Sequence, residues 1–137
     1  MAALTTTEGN RLLDASFGVA TYTAPSLTGG GGTSGMRLAL SSTVGTTTTA
    51  GTEVTGGSYA RQAFTMASAA SLSNSNVAAI NFTGMPAVGS PGVQGVEVYD
   101  NGATPRREWF GALTTPRITA AGDTLSFAIG ALVASFT

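Results

Sequence analysis

The densest group of ionisable side chains in the sequence is Glu97, Asp100, Arg106, Arg107 and Glu108, gathered around an Asp100-Asn101-Gly102 turn signal. Two carboxyl groups with separated pKa values can divide general-acid and general-base work, as in glycoside hydrolysis. The adjoining arginines point instead to charge pairing on a solvated face. Asp100, Asn101 and backbone carbonyls could offer oxygens to calcium, but their spacing does not follow the helix-loop-helix calcium pattern. Ser58 lies in Gly56-Gly57-Ser58-Tyr59-Ala60, where a nucleophile elbow needs glycine at position 60. The glycines at 29–32 lack the lysine and the following helix of a phosphate loop.

Composition narrows the chemistry further. The chain has no histidine, no cysteine and no lysine; all six basic residues are arginine. The usual general base, the commonest metal ligand, thiolate chemistry, Schiff-base chemistry and disulfides are therefore absent. These absences point away from an enzyme and imply no cofactor and no metal. Charged residues make up 9% of the chain, with a net charge of -1, so Arg37, Arg61, Arg106, Arg107 and Arg117 form no basic stripe for nucleic acid. No run of residues is long and apolar enough for a membrane span, and no signal peptide is visible at the start.

What remains is recognition. Trp109 beside Arg106 and Arg107 has the composition of a binding hot spot; the alternative is that Trp109 belongs to the core and the arginines are solvated. Thr5-Thr6-Thr7-Glu8 fits a helix capping box. Leu12, Leu13 and Phe17 follow at helical spacing, and Gly18 offers a stop. The resulting helix, about residues 5–17, either packs on a sheet to complete the core or uses Leu12 and Phe17 to grip a neighbouring subunit.

The elements that would position these residues are strands, from about residue 19 onward. Val19–Tyr22, Met36–Leu40, Tyr59–Met66, Val77–Phe82, Val93–Tyr99 and Arg107–Leu113 read as extended, with Leu125, Phe127 and Ile129 alternating and Leu132–Phe136 closing the chain. Inward positions include Leu38, Leu40, Phe64, Met66, Ala78, Ile80 and Phe82. Residues 28–35 read as a glycine-rich loop, and residues 43–52 as a threonine-rich loop or exposed edge. Pro116 interrupts, and Ile118 opens a short strand. Seven or eight short strands at intervals of about ten residues predict one mainly β domain over 1–137. The expected form is an antiparallel, jelly-roll-like β-sandwich preceded by one N-terminal α-helix.

Three stretches carry a resemblance: Thr5 to Asp14, with an Asn-x-Leu-Leu-Asp core; Glu53 to Gln62, the most specific; and Gly95 to Asp100. They resemble short virion proteins of actinobacterial phages, commonly labelled tail fibre proteins or minor capsid-decoration proteins. The resemblance implies a non-enzymatic structural protein carried in the virion; with no signal peptide visible, it is expected to be made in the host cytoplasm. One short unit without a long repeat or coiled coil favours capsid decoration, with a tail fibre or tail-tip component as the alternative. The implied partners are the major capsid protein or other virion proteins and further copies of the chain, a trimer being favoured; no nucleic acid or membrane is implied. A third reading is a glycan-binding module using Trp109 and Tyr99.

Overall fold

The computed structural model describes residues 2–26 and 35–135. Among these residues, nine strands and one helix occur in the order β1 (Ala2–Leu4), α1 (Thr6–Ser16), β2 (Met36–Ser41), β3 (Gln62–Phe64), β4 (Ser73–Ser75), β5 (Ile80–Phe82), β6 (Val88–Tyr99), β7 (Arg107–Thr119), β8 (Leu125–Phe127) and β9 (Val133–Ser135). A seven-stranded sheet runs β3-β2-β6-β7-β1-β9-β4, and β5 pairs with β8 in a second sheet. Pairing is antiparallel except for a short parallel contact between β1 and β9. The fold is mainly β, antiparallel and sandwich-like, with one helix near the N-terminus, as the sequence predicts.

Alternation builds the core. Leu38 and Leu40 of β2, Val96 and Val98 of β6, and Phe64 of β3 meet Ile80 and Phe82 of β5 and Leu125 of β8. Phe82 is its hub: Tyr59 stacks on it at 5.8 Å, and Phe127 meets it edge-on at 6.3 Å. Tyr59 also ties the core to its rim, because its hydroxyl accepts from the Leu40 N–H at 2.9 Å and donates to Glu53 at 3.1 Å.

Both ends of α1 follow their sequence signals. Thr5 caps the helix by accepting from the Glu8 N–H. Gly18, at φ +69°, ends it, with the Gly18 N–H bonded to the Ala15 carbonyl and the Val19 N–H to the Asp14 carbonyl. That pair of bonds is the Schellman arrangement. Only half of the capping box forms, since the Thr5 N–H donates to the Glu108 carbonyl and leaves the Glu8 carboxylate for other partners.

Several expectations are corrected. Strands do not begin near residue 19: β1 precedes the helix, and Val19–Tyr22 is irregular, with Val19 exposed. Tyr59–Met66 contracts to the three residues of β3, and Val77–Phe82 to β5, with Ala78 exposed. Ile129 is exposed beyond the end of β8. Pro116 does not end its strand: β7 continues to Thr119. Between the Gly95↔Ala112 and Val93↔Arg117 pairs, β7 carries extra residues in a bulge. A proline there forfeits no ladder hydrogen bond. The threonine-rich segment is a loop, whereas the glycine-rich loop expected at 28–35 lies, apart from Gly35, outside the described residues.

Phe82→Ala removes the ring on which both sheets converge. It is expected to cost about 3–5 kcal/mol, read as a lowered denaturant midpoint with an unchanged slope.

Candidate interaction site

The β6–β7 hairpin organises the site. Its connection is a seven-residue loop rather than a tight Asn-Gly turn, and Gly102 has no positive φ. Asp100 closes this loop. Its Oδ1 accepts from the Arg106 N–H at 2.7 Å and the Gly102 N–H at 3.4 Å, and its Oδ2 accepts from the Ser26 N–H at 3.2 Å. Burial works against the charge on Asp100, but these donors and the Arg106 guanidinium outweigh it and hold the carboxyl below its ordinary value.

The acidic cluster is not on a solvated face. Glu97, Asp100 and Glu108 are 2%, 3% and 1% exposed. They sit beneath α1 and the 42–53 loop, and Glu8 of α1 is buried with them. Charge pairing does hold. Arg106 reaches Glu108 at 2.7 Å and Asp100 at 3.6 Å. Arg11 reaches Glu8 at 2.8 Å and Glu108 at 3.5 Å. Tyr22 donates to Glu8 at 2.5 Å. The helix is therefore docked chiefly by charge, and Glu8 is its one fully buried residue. This corrects the expectation that its apolar residues complete the core.

A second set of ions continues along the sheet. Arg107 Nε lies 3.0 Å from Glu97, and its Nη2 donates to the Thr46 carbonyl at 2.6 Å. Glu97 accepts from the Gly51 N–H and from Tyr99. Arg61 pairs with Glu53 at 2.7 Å and lies 3.7 Å over the Tyr99 ring. Gly45 and Gly51 let the threonine loop lie this close. A Cβ on Gly45 would overlap Glu97 and Arg107, and one on Gly51 would overlap the Thr43 carbonyl.

The structure separates the residues singled out by sequence. Arg106 and Arg107 are tied into the ion network rather than solvated. A bulge between the Tyr99↔Arg107 and Val98↔Trp109 pairs interrupts the side-chain alternation, so Trp109 turns to the core side beside Val98. There it lines an apolar cavity of about 300 Å³ with Pro25, Met36, Phe64, Met66 and Leu132. Trp109 and Tyr99 consequently lie on opposite faces of the sheet and do not form one sugar-stacking platform. Arg106, Arg107 and Tyr99 border a separate cleft of about 560 Å³ with Thr5–Thr7, Arg11, Thr47 and Thr48.

Leu12 is half-buried. Phe17 is 78% exposed, alongside Leu13 at 58% and Val19 at 75%. Leu13 and Phe17, four residues apart, share one helix face. With the helix held from beneath by its ions, this apolar face is turned outward.

A buried belt of ion pairs thus lies under an outward apolar helix face. A family model described as podophage GP4 fiber I protein gp80 matches residues 3–135. The chain belongs to this family of phage fibre proteins, and so to the phage virion class that its sequence resembles. No curated protein gives a significant match.

Arg107→Met leaves Glu97 buried without its cation and is expected to cost about 3 kcal/mol. Adding Glu97→Gln is expected to recover most of that loss. Urea unfolding of the two variants measures both effects.

Proposed function

We propose that the chain is a non-enzymatic fibre subunit, made in the host cytoplasm and built into the virion as a homo-oligomer, a trimer being the expected form. The observation that carries this reading is the fibre-family match over residues 3–135. The site supports it in two ways. Five of the seven acidic residues and four of the six arginines are engaged in ion pairs within the chain, which leaves them as framework rather than as machinery for a substrate. The Leu13–Phe17–Val19 face supplies apolar area of the kind that marks protein contacts. Its proposed occupant is a second copy of the chain, since oligomers of identical subunits bury such faces against one another. The assembled fibre is anchored on other virion proteins, the major capsid protein among them. Arg106, Arg107 and Trp109 serve this role from within, as supports of the hairpin.

A second reading is capsid decoration, in which the same apolar helix face would contact the shell. Electron microscopy of intact particles carrying a labelled chain separates the two. A fibre gives label at a few fixed places, and decoration gives an even coat over the shell. The resemblance to virion proteins of actinobacterial phages makes such a host the first in which to look.

Because Phe17 is so exposed, Phe17→Asp is expected to change stability by no more than about 0.5 kcal/mol. The same substitution is expected to shift the mass in solution from oligomer to monomer, measured by light scattering after gel filtration. An oligomer that survives Phe17→Asp would refute a contact through α1.

A further inference from the structure

The ions that dock α1 do not balance. Three buried carboxylates, Glu8, Asp100 and Glu108, face two guanidiniums, Arg11 and Arg106. Asp100 is fully served by backbone donors and Arg106, which places the surplus negative charge on the other two. Glu8 Oε2 and Glu108 Oε2 both converge on Arg11 Nη1, at 2.8 and 3.5 Å. Glu108 Oε1 is taken by Arg106 at 2.7 Å. Glu108 Oε2 is buried and receives no hydrogen bond. A buried carboxylate oxygen beside a second carboxylate, with the nearest donor already committed to that neighbour, is a strongly disfavoured arrangement. One proton resolves it, by turning an O⁻···O⁻ contact into an O–H···O⁻ hydrogen bond.

We propose that Glu108 is protonated in the folded protein and donates to Glu8, and that this proton is a pH-sensitive latch holding helix α1 on the sheet. The groups facing the pair are Arg11 from α1, Tyr22 from the segment after it, and Asp100 and Arg106 from the hairpin loop. Arg11 and Arg106 favour loss of the proton. Burial opposes that loss, and so does the neighbouring carboxylate. The Glu108 carboxyl is pushed up to about 7, first by burial and then by its hydrogen bond with Glu8. A carboxyl raised in the folded state contributes stability that is full below its unfolded value and fades as pH rises through its folded one. The latch is therefore closed in acid and loosens above neutrality. Loss of the proton leaves two buried like charges across the α1–β7 contact, which drives the helix and its outward apolar face away from the sheet. This inference does not depend on the role of the chain in the particle.

Carbon-13 NMR of the glutamate side-chain carboxyls, followed from pH 4 to pH 9, is the direct test. The sequence has four glutamates, Glu8, Glu53, Glu97 and Glu108. The expected result has the Glu108 signal moving through a step near neutrality, with the α1 amides losing hydrogen-exchange protection over the same step. In Glu108→Gln that step disappears, and in Glu8→Gln the Glu108 step moves to lower pH, because the neighbouring charge is gone while burial remains. Completion of all four titrations in that range in the unaltered protein would overturn the proposal, and that measurement stands even if the variants fail to fold. A step near neutrality that leaves α1 protection unchanged would overturn the latch.

Discussion

The rest of the structure depends on a belt of charge buried against the outer side of one β-hairpin. The chain is poor in charged residues, yet it buries four of its seven carboxylates, where desolvation of each ion is costly unless partners are exact. Glu97, Asp100 and Glu108 stand at the hairpin end of β6 and β7, and each holds a different covering element. Glu97 holds the threonine loop through Gly51, with its partner Arg107 bonded to Thr46. Asp100 holds the hairpin loop and Ser26. Glu108 holds α1 through Arg11, and its own backbone carbonyl takes the Thr5 N–H. Hydrophobic burial makes the other side of the sheet, and ions make this one.

That division explains the surface. With charge consumed internally, solvent meets threonine, serine, glycine and a few large apolar side chains. An outer face of this kind suits contacts with repeated neighbours better than the capture of a charged ligand. The helix is an economical way to present such a face. Its inner side is polar and fixed by ion pairs, so Leu13 and Phe17 are free to point outward. The fibre-family membership supplies the setting in which an exposed apolar face has a use.

Much of the fold was legible in the sequence because local signals and tertiary packing agree there. The Thr5 cap, the Gly18 stop, the alternation of Leu38 and Leu40, and the pairing of Val96 and Val98 with the Arg107–Leu113 segment all appear where periodicity and turn chemistry put them. Other features were not legible. The strands β1 and β4 are three residues long and owe their form to pairing partners far away in sequence. Pro116 reads as a break, and only its place among the extra, unpaired residues of the β7 bulge makes it tolerable. The acidic residues read as solvated because nothing local reveals that α1 and the 42–53 loop will cover them. Arg107 and Trp109 have the same parity in the sequence, and a single bulge places them on opposite faces. Gly45 and Gly51 were the one available hint: glycines in a threonine-rich loop suggest close approach to something. What they approach, the Glu97–Arg107 pair, lies far off along the chain.

If the buried ions bind the helix, the 42–53 loop and the hairpin into one unit, these elements must open together. Native-state hydrogen exchange of the whole chain near pH 6 tests this directly. The account predicts that the amides of α1 and of Gly51 are protected to nearly the same free energy as those of β7, and that they open in a common step. Exchange of the α1 amides at fraying rates, independent of a still-protected β7, would contradict it.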